Sequence, residues 1–350
     1  MATAEVLTIE DGERWRAVLP VGESVFGSVE FARIQQRHGG GDARLVTLGA
    51  PDGRIAYPLF LRAVDELPFA DRAAAGLFDA ATPPYTGPFA PRSPDEDVRA
   101  AFQEALSRWC TEGGVVSEFG HLQPWRARAE LLDRPGPELD REIVYVDLTE
   151  DPEELWRRSY THAARKNVKR ARREGVRVLA PGDATAAREL HRIYEQTMDR
   201  QGARESYYFP ATYFGAFVEE MPGNSRIVLA EHGGRVIAAT LYLHDDRDAY
   251  SYLGGADRDF QHLRPTNAVV HEAIRWAREA GKERLVLGGG YEPGDGIFRF
   301  KASFSPLRAE LRLYRRVHLP DEYASLRDGW REYYGTEPRT AFFPPYRTVP

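Results

Sequence analysis

RIVLAEHGGRVIAATLYLH, residues 226–244, decides the fold. Two apolar runs flank His232-Gly233-Gly234, and a glycine pair between such runs predicts a β-hairpin. Working downstream, YSYLGG (250–255) predicts a further strand. RPTNAVVHEAIRWAREAG (264–281) then has the apolar spacing of an amphipathic helix, with Pro265 suited to its first turn and Gly281 to its stop. Strands are expected next near 284–288 and 308–317. Upstream, helices are expected near 184–201 and over DPEELWRRSYTHAARKNVKRARREG (151–175), which Gly175 ends.

The same order occurs earlier in the chain. RLVTLGAPDGRIAYPLFLR (44–62) is again strand, glycine turn, strand. AFQEALSRWCTEGGVVSEFG (101–120) parallels VVHEAIRWAREAGKERLVLGG (269–289), each a helix with a Trp, a glycine stop and an apolar strand. The matching order of both blocks indicates two copies of one α/β unit. The first copy starts with a helix near 24–37 and closes with EIVYVDL (142–148). The expected division is therefore an N-terminal domain over 1–148, a C-terminal domain over 149–319 opening with a basic helix, and a helix with a Pro- and aromatic-rich surface tail over 320–350.

At 350 residues, with 42% hydrophobic and 29% charged, the chain can bury two ordinary cores, which excludes global disorder. No apolar run is long enough to span a bilayer, and the N-terminus has neither a basic nor an apolar signal region. A cytoplasmic protein without membrane insertion is expected. The single cysteine, Cys110, excludes an internal disulfide, and no metal site is expected. P-loop, Gly-x-Ser-x-Gly, zinc-spacing and dinucleotide patterns are absent. The glycine-rich GGGYEPGDG (288–296) reads instead as a pocket loop.

Net charge is −6, yet residues 155–180 hold nine cations and one anion, Glu174. On a helix, Arg165, Lys169 and Arg172 share one face and Lys166, Arg170 and Arg173 the next. Such a stripe can neutralise several phosphates without reading sequence. A solvated helix, or a site for a polyphosphate or nucleotide-linked substrate, would carry the same charges. Only four lysines occur beside 43 arginines, and two of them, Lys166 and Lys169, lie in this helix.

ARKNVKRARREGV (164–176), YSYLGG, RPTNAVVHEAIRWAREAG, and LVLGGG (285–290) followed by GIFRFKASF (296–304), in this order, resemble the Fem family of aminoacyl-tRNA-dependent peptidyltransferases. The resemblance covers about 25–318. It implies an α/β fold of two tandem GNAT-like domains, each a mixed, mostly antiparallel sheet flanked by helices. It also implies transfer of an amino acid from aminoacyl-tRNA to an amine, on a peptidyl cell-wall precursor or a small secondary metabolite. There the basic helix (Arg165, Lys166, Lys169, Arg170, Arg172, Arg173) would hold the RNA.

By the same resemblance Lys301, at the Phe-Lys position, stabilises the tetrahedral oxyanion. Arg299 and Phe300 beside it are secondary candidates. The Arg204-to-Tyr208 spacing resembles the family's acceptor contacts, and a guanidinium fork suits a carboxylate or phosphate. Tyr250 and Tyr252 are two apart on a strand and expected on one face. Tyr252, next to Gly254-Gly255, is favoured for the pocket, and Gly255 is a further substrate-binding candidate. In the first copy Tyr85 is a binding candidate. Where family members often carry an acid before a proline, this chain has Gln123, which cannot act as a base. Glu118 or His121 could substitute, as could the tRNA hydroxyls or water.

No cofactor is expected. The loop before Pro265 (259–266) lacks glycine, and Pro265 has no N–H for a pyrophosphate. An acyl-CoA-dependent N-acyltransferase and a non-catalytic RNA- or polyphosphate-binding module are the alternatives.

Overall fold

The hairpin over 226–244 forms as expected. Its two strands pair antiparallel from Ser225–Leu243 to His232–Arg235, turning at Gly233 and Gly234, both in the left-handed region. The structure is a computed structural model describing residues 4–50, 53–70, 74–132, 136–338 and 342–350. In chain order its strands are β1 (Glu5–Leu7), β2 (Asp42–Ala50), β3 (Gly53–Ala63), β4 (Phe78–Ala81), β5 (Val115–Leu122), β6 (Glu138–Asp147), β7 (Arg177–Leu179), β8 (Ser225–His232), β9 (Arg235–His244), β10 (Asp248–Ala256), β11 (Arg284–Gly288) and β12 (Arg308–Val317). The main helices are α1 (Gly12–Val18), α2 (Val29–Arg37), α3 (Glu96–Glu112), α4 (His162–Arg173), α5 (Ala184–Gln201), α6 (Ala211–Glu220), α7 (Pro265–Glu279), α8 (Gly296–Ala302) and α9 (Pro320–Tyr334).

These elements fall into two units, one of Met1–Pro20, Phe26–Asp140 and Leu311–Pro350, the other of Val21–Val25 and Arg141–Glu310. Each repeats one plan. In the first, the β2–β3 hairpin is followed by antiparallel β4, and β4 pairs parallel to β5 after α3 crosses over. In the second, the β8–β9 hairpin is followed by antiparallel β10, and β10 pairs parallel to β11 after α7. A parallel pair needs such a crossover, which is why each helix lies where the sequence repeat puts it. The duplication and the mixed, mostly antiparallel sheets are as expected.

The two units are discontinuous in the chain, unlike the expected division at 148 and 319. Strand β6 pairs with β11 through Val144–Asp147 and so joins the strands of the second unit, although it follows the first copy in sequence. Conversely, Arg312–Val317 of β12 pair with Ser117–Leu122 of β5 and join the first. Linear reading of the chain cannot detect such an exchange of strands.

The C-terminal residues are likewise integral rather than a surface tail. Trp330 and Tyr346 are each 1% exposed and pack with Val64 and Val116. Trp330 donates its indole N–H to the Thr348 carbonyl at 2.7 Å. Buried Asp79 accepts from Ser117, Tyr346 and Arg347, each at 2.6 Å.

The expected single helix over 151–175 is also revised. Asp151 caps a turn at Pro152–Glu154, a π-helical segment covers Leu155–Ser159, and Tyr160 is extended before Thr161 caps α4. A π turn leaves carbonyls unmatched, and Arg165 meets them, donating to Trp156, Arg157 and Tyr160 at 3.2, 2.8 and 2.5 Å.

Candidate active site

Within the second unit, β10 and β11 run paired only over Asp248–Tyr250 and Arg284–Val286. Beyond that, β10 shifts register against β9 between Ser251 and Leu253, and β11 shifts against β6 between Val286 and Gly288. Bulges of this kind bend strands and re-aim side chains. Tyr250 therefore stays buried, its hydroxyl 3.3 Å from Asp248, whereas Tyr252, Leu253 and Gly254 line a cavity of about 600 Å³. The expectation that both tyrosines share one pocket face fails at this bulge, and Tyr252 is the pocket member.

The cavity's other walls come from α5 and its exit (Tyr194, Met198, Gln201 to Arg204), Tyr207, and the glycine-rich loop with α8 (Tyr291, Ile297). Behind Tyr252, its hydroxyl and that of Tyr213 are 2.8 Å apart, and Phe209 stacks on Tyr213 at 4.4 Å. Arg204 is the charged residue of the lining, exposed and without a carboxylate partner among the described residues. Tyr208 is not in the lining. It turns outward to donate to Asp199 at 3.0 Å, and Tyr207 takes its expected place. The short helical turn at Glu205–Tyr207, which spacing alone did not reveal, causes the swap.

Gly255 does not touch the cavity either. A Cβ there would overlap the Thr197 hydroxyl, so the glycine lets α5 lie close on β10.

Lys301 sits on α8 one turn after Ile297, on the same helical face. Its ammonium donates to the Gly289 carbonyl at 2.6 Å. Burial lowers its pKa to about 8, opposed by the charge of Asp295. Asp295 organises the whole loop, accepting from Phe298 at 2.7 Å, Tyr291 at 2.6 Å and Glu292 at 3.2 Å. Those amides, Phe298 first, hold its carboxyl below the usual range. Gly290 is required here, because a Cβ would overlap the Asp295 carboxylate. Asp295 was missed by sequence reading, although an Asp just before a short helix is a capping signal.

The neighbours of Lys301 have other duties. Arg299 donates to Gly294 at 2.6 Å, and Phe300 packs on Phe304 at 5.4 Å against the core.

The basic helix α4 buries Ala164 and Ala171 and exposes Lys166, Lys169, Arg172 and Arg173. Lys166, Lys169 and Arg172 have no carboxylate partner among the described residues, Arg173 reaches Glu174 at 3.3 Å, and Arg170 lies 4.0 Å from it. The free stripe thus runs 166, 169, 172, and Arg165, expected in it, is a structural clamp on the π segment.

The remaining candidates belong to the first unit and not to this cavity's lining. Glu118 is fully buried, accepting from Tyr57 at 2.5 Å and lying 2.9 Å from His318 Nε2. His121 is 3.3 Å from Asp140 and packs edge-on to Phe119. Tyr85 holds a left-handed backbone and packs on Phe26. Gln123 Oε1 accepts from the Trp125 and Arg126 amides at 2.7 and 2.5 Å, which closes a turn and explains a neutral residue there.

This geometry has known counterparts. Residues 158–302, within the second unit, match the acetyltransferase (GNAT) domain family. The fold is a tandem GNAT-like fold of the Fem type. FemX superposes with a TM-score of 0.68 at 12% identity, over 92% of this chain and 99% of its own. A conserved protein of unknown function from Bacteroides thetaiotaomicron gives 0.58 at 10% identity, over 90% and 99%. The C-terminal domain of a protein assigned as a lysylphosphatidylglycerol synthetase, from Agrobacterium fabrum, gives 0.50 at 15%, over 87% and 91%. A search of curated protein sequences found no match. Among the described residues no helix is long and apolar enough to cross a membrane.

Proposed function

We propose that the chain is an aminoacyltransferase that moves an amino acid from aminoacyl-tRNA to an amine. The observation that carries the reading is Lys301, a partly buried ammonium fixed at the cavity loop, in the unit that also presents the free stripe Lys166, Lys169 and Arg172. The acceptor amine attacks the aminoacyl carbonyl, a C–N bond forms, and the ester C–O bond to the ribose breaks. The proton lost by the amine ends on the released ribose hydroxyl. Negative charge develops on the carbonyl oxygen between these events, and a desolvated cation there lowers the barrier. The Arg204 guanidinium suits a carboxylate or phosphate on the acceptor. A peptidyl precursor and a small metabolite both satisfy that chemistry.

An acyl-CoA donor is the second reading, favoured by the acetyltransferase family match over 158–302. Against it stands the start of α7. Pro265 offers no N–H, and the amides of Asn267 and Ala268 both point to the Arg264 carbonyl, at 3.1 and 3.4 Å. That turn supplies few donors for a pyrophosphate. No resident cofactor is therefore part of the proposal.

The test supplies labelled aminoacyl-tRNA and labelled acetyl-CoA in parallel to a pool of small amines and peptides. Label in a base-stable amide from the tRNA donor alone supports the reading. Label from acetyl-CoA alone overturns it.

A further inference from the structure

The π segment that interrupts the expected helix forms one wall of a second cavity, about 270 Å³, that the site above does not use. Pro152, Leu155, Trp156 and Tyr160 face His271 and Ile274 of α7 across it. Three of these are flat rings set close together. Trp156 lies 5.2 Å from both Tyr160 and His271, and the Tyr160 hydroxyl is 3.0 Å from His271 Nδ1. Trp156 remains half-buried, so its ring is not closed off. π turns of this kind are frequent at functional sites.

The pocket wall is tied to the basic helix. Arg165, which clamps the Trp156 and Tyr160 carbonyls, immediately precedes Lys166 on α4. Arg275, Arg278 and Glu279 complete the lining, and the charges at the pocket are engaged elsewhere. Arg157 and Arg158 pair with Glu153 and Glu154, Arg275 with Glu272 and Glu279, and Arg278 donates to the Leu148 and Glu150 carbonyls. The surface left to a ligand is therefore mainly apolar and aromatic, while the unpaired cations Lys166, Lys169 and Arg172 lie on the helix that Arg165 ties to the pocket wall. Aromatic rings next to a positive track are how single-stranded nucleic acid is held.

We infer that this pocket takes one unpaired nucleobase of the tRNA, stacked on Trp156. The inference rests on the aminoacyl-tRNA reading. Stacking contributes about 1–3 kcal/mol per base by alanine substitution and is insensitive to salt, whereas phosphate contacts set the salt slope.

The two contributions separate in a titration of the full chain with deacylated bulk tRNA at three salt concentrations. Trp156→Ala is expected to weaken binding about tenfold at every salt, leaving the slope of log K against log salt unchanged. Trp156→Phe, which keeps an aromatic ring, recovers most of the loss and controls for misfolding. Lys166→Ala with Lys169→Ala flattens the slope. If Trp156→Ala binds like the wild type while the lysine pair still flattens the slope, the pocket holds no base, and the tRNA reading survives alone. If the wild type binds no tRNA at any salt, both fall.

Discussion

The Lys301 ammonium donates to the Gly289 carbonyl at 2.6 Å, spanning from α8 to the end of β11. This contact holds the cation at the end of β11, and burial keeps its pKa near 8. The ammonium is charged below that pH and neutral above it. Transfer that uses the cation therefore falls as pH rises through about 8. A kcat–pH profile of the wild type should show this alkaline limb, and Lys301→Arg, charged throughout, should lose it. An unchanged limb in the arginine variant would remove Lys301 from the chemistry.

Removing the cation is a larger change. Lys301→Ala should lower kcat by about 10²–10³, the loss found when one oxyanion donor is deleted, with little change in KM. A rise in KM with unchanged kcat would assign Lys301 to substrate binding instead.

The stripe and its false member separate in solution. Replacing Lys166, Lys169 and Arg172 with Ala should reduce the salt slope of tRNA binding by about two to three. Arg165→Ala should leave the slope unchanged and lower the melting temperature, because two carbonyls of the π segment and that of Tyr160 lose their donor. A slope reduced by Arg165→Ala would return that residue to the RNA face.

Gly255 provides a packing test. Gly255→Ala pushes a methyl group into Thr197 and should cost about 1–3 kcal/mol in urea unfolding. Thr197→Ala in the same chain, which removes the obstructing hydroxyl, should restore part of the loss. Full loss in the double variant would point instead to the Ile193 carbonyl, 2.9 Å from the same Cβ position.

In the first unit, Arg347 and Asp79 form a buried pair at 2.6 Å. Arg347→Met should cost about 3–5 kcal/mol, since it leaves the Asp79 charge buried without its partner. A loss below 1 kcal/mol would show that Ser117 and Tyr346 suffice for that carboxylate.

Much of this was legible in the sequence, for identifiable reasons. Hairpins, crossover helices and their order follow from local periodicity, and glycine turns mark their ends. Tyr252 could be placed at the cavity because its neighbouring glycines are local as well, whereas Lys301 was a candidate only through the family resemblance. What failed depends on distant pairing. The exchange of β6 and β12 between the two units rests on partners such as Val144–Gly288 and Val317–Ser117, far apart in the chain. Tyr207 rather than Tyr208 lines the cavity because one short turn shifts the phase. Arg165 reads as one more cation until the π turn it clamps is seen.

The most direct test is equilibrium binding of aminoacylated bulk tRNA, set against CoA and acetyl-CoA, at two salt concentrations. Aminoacyl-tRNA-dependent transfer predicts tRNA binding with a steep salt dependence and weak or no binding of either CoA species. Tight CoA binding with no affinity for tRNA would contradict it, and would make the chain an acyl-CoA-dependent enzyme whose basic helix serves another anion.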